Sequence, residues 1–184
     1  MSKATKLQPM SNTAFRMMVW MMNLEDLFKS PKELLKKAPI KAGMTVVDYA
    51  CGPGRYTIPT AELVGPTGKV YAVDIQPLAI EIVKRKAALK SLANIQPVLA
   101  DSFNTGIPDS AADIVLLIDA ITPIKEYNAL FNEIHRLLKP DGILFMDSSH
   151  MNPSKARSIV EDTRLFAMVS IDGRNMLWNR KRNS

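Results

Sequence analysis

The sequence predicts an α/β fold: a parallel sheet with helices on both faces, an antiparallel strand pair at the end, and a helical extension at the N-terminus. Short runs that are apolar on both faces alternate with amphipathic helical stretches, as in parallel strands joined by crossover helices. Near the end, Asp172-Gly173 between two further apolar stretches signals a hairpin. A chain of 184 residues with 47% hydrophobic residues and one cysteine fits one globular domain and excludes a disulfide scaffold.

The elements follow in chain order. Residues 13–28 predict a helix crowded with Met, Phe and Trp, which must be covered on most of its sides. Ser30-Pro31 then begins a short helix, with a hydroxyl cap and a proline at the first helical position. The later predictions are strands at 44–49, 69–73, 94–99, 113–118 and 143–146, helices at 55–64, 77–92, 124–138 and 154–162, and hairpin strands at 166–171 and 175–179.

Composition sets several broad expectations. The net charge of +6 leans mildly toward anionic partners, but the short basic runs 84–86 and 180–182 are typical of a solvated helix face and a chain end. The apolar run 17–22 is too short to span a bilayer or to act as a secretory signal, so we expect a cytoplasmic protein. Cys51 is interpreted as a packing residue and His135 as a surface residue, and we expect no metal site.

The clearest chemical signal lies at the ends of three successive predicted strands. The first ends in Asp48 and runs into a loop of small residues that includes Gly52 and Gly54, where the backbone can approach a ligand. The second ends in Asp74, which lies 20 positions after Gly54 and suits a grip on ribose hydroxyls. The third ends in Asp101. Such a series predicts a nucleotide-containing ligand.

Two classes of ligand compete for this site. A dinucleotide would need a third glycine where Thr57 stands, and its pyrophosphate would lie unfavourably close to Asp48. A ligand with a positive centre and an amino group suits Asp48 better. S-adenosyl-L-methionine has both, together with a ribose for Asp74 and an adenine amino group for Asp101.

With these residues in place, the chain resembles the class I S-adenosylmethionine-dependent methyltransferases, in the compact group similar to quinone-biosynthesis C-methyltransferases. The landmarks are the stretch 48–54, Val73-Asp74, the stretch 100–102 and the turn 138–142, in that order. The resemblance implies a Rossmann-like, doubly wound sheet of seven strands with strand seven antiparallel. It covers residues 31–184 as the methyltransferase domain and leaves residues 1–30 as an arm and apolar helix.

The resemblance also implies the cofactor contacts. Asp48 and the loop would hold the methionine moiety, Asp74 the ribose, and Ile75 the adenine ring. The full cofactor-binding set is Asp48, Ala50, Gly52, Gly54, Asp74, Ile75, Asp101, Ser102, Phe103 and Asp119. One residue departs from the family pattern, since Ala50 stands where the family usually has its first glycine.

No catalytic base is evident from the sequence, and Asp119 and His150 are the candidates. Each follows a predicted strand on the ligand side of the sheet, but Asp119 suits a helix cap equally well and His150 a solvent-facing loop. The segment 117–121 lacks the Asp/Asn-Pro-Pro-Tyr signature that clamps amino groups, which disfavours adenine or cytosine N-methylation by that mechanism. Positioning alone accelerates methyl transfer, so a missing base does not exclude activity.

The apolar helix at 13–28 leaves two interpretations open. It packs along the sheet edge or in a homodimer interface, or it forms a lid whose thioethers and aromatic rings line a pocket for an apolar acceptor. We therefore expect methyl transfer from S-adenosyl-L-methionine to a small, rather apolar acceptor. The alternatives are an RNA or protein methyltransferase, for which nucleic acid is a less favoured partner, and a non-catalytic S-adenosylmethionine-binding protein.

Overall fold

Seven strands and six helices make up the part of the chain that the structure describes. The structure is a computed structural model, and it describes residues 8–26, 30–100, 102–120, 124–148 and 150–182. The strands are β1 Thr45–Tyr49, β2 Lys69–Asp74, β3 Ile95–Leu99, β4 Ala112–Leu117, β5 Leu138–Asp147, β6 Phe166–Asp172 and β7 Asn175–Arg180. The helices are α1 Asn12–Asp26, α2 Pro31–Leu35, α3 Thr57–Val64, α4 Pro77–Leu89, α5 Tyr127–Leu137 and α6 Pro153–Asp162.

The strands form one sheet in the order β3-β2-β1-β4-β5-β7-β6. Strands β1 to β5 run parallel to one another, whereas β7 is antiparallel to both β5 and β6. The expected doubly wound sheet with strand seven antiparallel is confirmed. The chain winds from β1 outward to β3 and then returns to β4 on the other side of β1. Open α/β sheets bind ligands outside the carboxyl ends of the strands at such a switch point, here between β1 and β4.

Residues alternate between the two faces of each strand, so two cores form. On one face, Val46, Val70 and Ile114 pack with residues of α2 and α3. On the other face, Val47, Val115 and other alternate residues pack with α5 and α6. Helices on both faces explain why the central strands are apolar throughout.

Several helix and strand ends differ from the sequence prediction by one to three residues; α4, for example, ends at Leu89 rather than at 92, and α5 begins at Tyr127 rather than at 124. Two further differences concern the sheet. Strand β5 begins at Leu138 rather than near 143, because the turn at 138–142 forms an irregular extension that pairs Leu138 with Ala112. The hairpin turn is Gly173-Arg174, one residue later than predicted, since Asp172 pairs with Asn175.

The surface assignment of His135 was wrong. Its side chain is buried, its Nε2 lies 2.9 Å from the carbonyl oxygen of Lys181, and its ring makes an edge contact with Phe166. The burial of Cys51 agrees with its interpretation as a packing residue, as it lies against Ala72 and Val83.

Helix α1 is covered on one side only, against the expectation from its composition. Phe15 is buried and Met18 and Met22 are half-buried, but Met17 and Trp20 are exposed. No described helix combines the length and the apolar character that a membrane crossing needs.

Candidate functional site

The loop after β1 needs unusual backbone conformations. Ala50, Gly52 and Gly54 all have positive φ, at 60°, 52° and 78°. A Cβ atom on Gly54 would lie 3.0 Å from Cγ2 of Val83, so a side chain there would require Val83 on α4 to shift. A Cβ atom on Gly52 would meet no atom within 4 Å, which leaves open space above the loop. One glycine therefore serves packing and the other leaves room for a ligand.

Asp74 ties this loop to the end of β2. Its Oδ2 accepts a hydrogen bond from the backbone N–H of Gly52 and its Oδ1 accepts one from the N–H of Gln76, both at 2.8 Å. Burial raises the pKa of Asp74, while these N–H donors act in the opposite direction. Lys86 on α4 also binds the loop, donating to the carbonyl oxygen of Pro53 at 2.8 Å. The loop is therefore held in shape by the folded protein itself.

Asp48 lies in the sheet beneath the loop and is 2% exposed. It sits between Ala72 of β2 and Leu116 of β4 in the strand register. The hydroxyl of Thr57, at the start of α3, donates to Oδ2 of Asp48 at 2.5 Å. Burial raises the pKa of Asp48 to about 7, and the negative charge of Asp74 adds to this rise, whereas the hydrogen bond from Thr57 opposes it. A cation near the loop would favour the ionised form of Asp48.

A second polar group lies across the switch point, at the end of β4. Asp119 has a positive φ of 56°, and its side chain is 37% exposed. The hydroxyl of Tyr56 donates to Oδ2 of Asp119 at 3.2 Å, and Nη1 of Arg55 lies 3.6 Å from the same oxygen. The N–H of Asp119 donates to Oδ1 of Asp147 at 3.1 Å, which joins the ends of β4 and β5. Burial, followed by the charge of Asp119, raises the pKa of Tyr56, so its hydroxyl stays a donor at neutral pH.

Both ends of α1 are tied to residues of this edge of the sheet. Near its first residue, Oδ1 of Asn12 accepts a hydrogen bond from Nε2 of Gln76 at 2.9 Å. At its last residue, Asp26 forms an ion pair with Arg55, whose Nε lies 2.6 Å from Oδ1. Glu25 lies farther from Arg55, at 3.4 Å. Helix α1 thus connects the end of β2 with the residues that follow the glycine loop.

Comparison with known proteins agrees with this geometry. Residues 40–180 match the family described as the methyltransferase domain. The chain belongs to this family. The resemblance expected from the sequence is thereby confirmed, and family membership implies S-adenosyl-L-methionine as the cofactor.

Curated relatives of this methyltransferase domain include demethylmenaquinone methyltransferases. The demethylmenaquinone methyltransferase of Staphylococcus saprophyticus is 34% identical over 61% of this chain and 48% of its own length. That of Geobacillus stearothermophilus is 29% identical, with the same two shares. The chain thus spans about half the length of these relatives. A solved S-adenosylmethionine-dependent methyltransferase from Aquifex aeolicus has the same fold, with a TM-score of 0.76 and 21% identity, over 82% of this chain and 89% of that protein.

The residues present in this methyltransferase domain fit the implied cofactor. A positively charged sulfonium and an amino group suit a site with the carboxylates of Asp48 and Asp74, and the open space at Gly52 admits a ligand. Oε1 of Gln76 is buried and has no hydrogen-bond partner among the described residues, so it can accept from a ligand hydroxyl or amine. Within the same part of the chain, no three His, Cys, Asp or Glu side chains group as metal ligands.

The other predicted residues fall into three groups. Ile75 and Ser102 are half-buried, and Phe103 is buried, with its carbonyl oxygen accepting from the hydroxyl of Tyr49 at 3.2 Å. His150 is exposed in the turn after β5, whereas Asp119 lies at the switch point. Asp101 lies outside the described residues.

The sequence analysis did not predict five residues of the site as site residues: Arg55, Tyr56, Thr57, Gln76 and Asp147. A strand-end rule would have found Asp147, since it follows an apolar run as Asp48 and Asp74 do. Thr57 entered the sequence analysis only as the residue that replaces the third glycine of a dinucleotide-binding motif. Arg55 pairs with Asp26, 29 positions before it, and with Asp119, 64 positions after it. Local sequence patterns do not predict contacts over such distances along the chain.

Proposed function

We propose that this chain transfers the methyl group of S-adenosyl-L-methionine to a small, rather apolar acceptor. The observation that carries the proposal is the switch point itself. There the glycine loop, Asp74 and the Asp119–Tyr56 pair lie at one edge of the sheet, with α1 tied to the same edge. The demethylmenaquinone methyltransferases among the relatives support a small-molecule acceptor.

The cofactor would lie along the ends of β1 and β2. Gly52 and Gly54 give the loop its shape, and Asp74, already bound to the loop N–H of Gly52, has lone pairs left for ribose hydroxyls. Ile75 would lie against the adenine ring. The negative charges of Asp48 and Asp74 favour the positive charge of the cofactor. The remaining members of the proposed set are Ala50, Asp101, Ser102, Phe103 and Asp119.

The acceptor would lie on the β4 side of the cofactor, near Asp119. The bound cofactor supplies a methyl group activated by a sulfonium, so the protein has mainly to align the acceptor and exclude water. Tyr56 and Arg55 hold the carboxylate of Asp119 in place, and this carboxylate can accept a proton from the acceptor as the methyl group is transferred. His150 is exposed, and nothing in its surroundings favours it over Asp119 as a base.

Helix α1 would serve as a lid over this site, and residues 1–30 would form a unit separate from the domain at 31–184. Its inward face carries Phe15, Met18 and Met22, and the ties at Asn12 and Asp26 hold it against both halves of the site. An apolar inner face favours an apolar acceptor. A cytoplasmic location and a homodimer stay predictions.

The nucleic-acid alternative finds less support in the structure. Of the basic run at 180–182, Arg180 belongs to β7 and donates to the carbonyl oxygen of Leu138 and to the hydroxyl of Ser110, so it is engaged within the fold. The edge of the sheet at the switch point carries Asp48, Asp74, Asp119 and Asp147, whose charges repel phosphates. A non-catalytic binding protein is the remaining alternative.

Two measurements test the proposal. Calorimetry should show binding of S-adenosyl-L-methionine to the wild type, at least tenfold weaker binding to Asp74→Asn, and unchanged binding to the exposed control Asp141→Asn. Transfer of a tritiated methyl group into cell extract, separated into solvent-extractable small molecules, RNA and protein, should label the first fraction. Label in RNA or protein would move the assignment to those acceptors. Binding without label in any fraction would favour the non-catalytic alternative, and absence of binding would overturn the proposal.

A further inference from the structure

Helix α1 has a second apolar face that the rest of the protein leaves uncovered. Met17, Trp20, Met21 and Leu24 are 63%, 66%, 54% and 48% exposed. Their spacing of three, one and three residues places them on one side of the helix, away from the buried Phe15. We call these four residues the outer stripe. A stripe of four large exposed apolar side chains is typical of a surface that meets a partner.

The charge of the chain is concentrated in the same segment. Residues 1–41 contain eight of the 24 basic residues and three of the 18 acidic ones, a net charge of +5. Residues 42–184 contain the other 16 basic and 15 acidic residues, a net charge of +1. The described cations of the N-terminal segment, all exposed, are Arg16, Lys32, Lys36, Lys37 and Lys41.

Two of the three acidic residues of this segment contribute little to its outer surface charge. Asp26 forms an ion pair with Arg55, and Glu25 lies near the same guanidinium. Three of the described cations are also ion-paired, Lys32 with Glu62, Lys36 with Glu33 and Lys37 with Asp172, whereas Arg16 on α1 and Lys41 form no ion pair among the described residues. The segment keeps its net charge of +5, so a partner that covers the outer stripe should carry negative charge.

We propose that the outer stripe docks on the surface of an anionic lipid bilayer, with α1 lying in the plane of the interface. Tryptophan, methionine and leucine on one helix face bind the boundary between headgroups and acyl chains, and nearby cations add attraction to anionic lipids. A second copy of the chain would also cover the stripe, but it would bring two segments of net charge +5 together. Charge complementarity favours the lipid surface.

The test uses the full chain and vesicles, without cofactor or acceptor, so its outcome does not depend on the proposed function. Vesicles of equal parts phosphatidylcholine and phosphatidylglycerol are compared with vesicles of phosphatidylcholine alone. We expect co-sedimentation with the anionic vesicles, loss of binding in high salt, and a blue shift of tryptophan fluorescence. The shift reports on Trp20, because the other tryptophan, Trp178, is fully buried.

A matched pair of double variants tests the stripe itself. Trp20→Gln with Met21→Gln should weaken vesicle binding by about tenfold or more, because the two lost side chains are the centre of the stripe. Leu89→Gln with Val169→Gln alters two residues that are 79% and 54% exposed on other elements and should leave binding unchanged. All four positions are exposed, and circular dichroism checks that both variants fold.

Three results would overturn the proposal. The first is no binding to the anionic vesicles, or equal binding to neutral ones. The second is equal binding by the two double variants. The third is a concentration-dependent dimer that the Trp20–Met21 double variant dissociates while vesicles bind neither protein, which would assign the stripe to a second copy.

Discussion

Asp48 gives folding a pH dependence that Asp48→Asn should remove. An aspartate in the unfolded chain ionises near its ordinary pKa of 3.8, whereas burial raises the pKa of Asp48 in the folded protein to about 7. Between these values the folded state keeps a proton that the unfolded state has released. The free energy of unfolding therefore falls by about 1.4 kcal/mol per pH unit as pH rises, and the loss is complete above about pH 7.

The magnitude follows from the two pKa values. The full loss is about 4 kcal/mol, of which about 2–3 kcal/mol falls between about pH 5 and pH 8. Asparagine keeps an oxygen that can accept from Thr57 but cannot ionise. Burial of its amide N–H groups costs about 1–3 kcal/mol, but this cost does not change with pH. The variant should therefore gain about 2–3 kcal/mol relative to the wild type from about pH 5 to pH 8.

Urea denaturation followed by circular dichroism, at several pH values across this range, measures the difference. Asp141→Asn is the control, because the side chain of Asp141 is 88% exposed and lies in the early part of β5, away from the ligand edge. Its curve should run parallel to that of the wild type. If the Asp48→Asn curve is also parallel to the wild type, Asp48 does not titrate in this range and the reasoning from burial is refuted.

The same ionisation should couple to the cofactor. A positively charged ligand near the loop favours the ionised form of Asp48. As the pH rises towards about 7, binding of S-adenosyl-L-methionine to the wild type should therefore strengthen, by up to about tenfold per pH unit. Calorimetry on Asp48→Asn should show weaker binding and a flatter pH profile. An identical pH profile in both proteins would show that Asp48 does not sense the cofactor charge.

Five further substitutions have opposite or separable effects. Ala50→Gly relieves a positive φ of 60° and should stabilise the protein by about 0.5 kcal/mol in urea denaturation, after the entropy cost of glycine; a clear loss would contradict this. Gly52→Ala and Gly54→Ala both place a side chain at a positive φ, which costs about 1–2 kcal/mol, and Gly54→Ala should lose about 1–3 kcal/mol more because its Cβ meets Val83. Gly52→Ala should in addition weaken cofactor binding in calorimetry, and equal stability losses in the two variants would refute the distinction. Arg55→Gln should speed hydrogen exchange in α1 because it removes the ion pair with Asp26. Glu25→Gln should have a much smaller effect, since the contact between Glu25 and Arg55 is longer and more exposed than the one between Asp26 and Arg55. Equal effects would contradict the role of Arg55.

Much of the fold follows from periodicity in the sequence. Strands β1, β2 and β4 are buried on both faces, and the short length and the valine or isoleucine content of their apolar runs distinguish them from buried helix segments. The start of β5 was missed because Lys139-Pro140-Asp141 is polar and contains a proline, and the structure accommodates it as an irregular extension at the edge of the core.

The site was predictable only where chemistry and strand ends coincide. Asp48 and Asp74 each end an apolar run, and parallel strands bring such ends to one edge of the sheet. The link from Arg55 to Asp26 depends instead on how α1 is placed, which sequence periodicity does not determine. The burial of His135 was not predictable for the same reason: it depends on where Lys181, beyond the last strand, is placed in the fold.

The net charge of this protein is a poor guide to the partner of its ligand site, because the charge is unevenly distributed along the chain. The value of +6 favours polyanionic partners, yet +5 of it belongs to residues 1–41. The ligand edge of the sheet carries the carboxylates of Asp48, Asp74, Asp119 and Asp147, with the guanidinium of Arg55 partly shared with Asp26. A site of this sign attracts a cationic cofactor and repels a phosphate backbone, whereas the N-terminal segment does the reverse. Added salt should therefore have opposite effects on the two regions. It should weaken the binding of the N-terminal segment to anionic vesicles, and it should reduce the repulsion of phosphates from the ligand edge of the sheet.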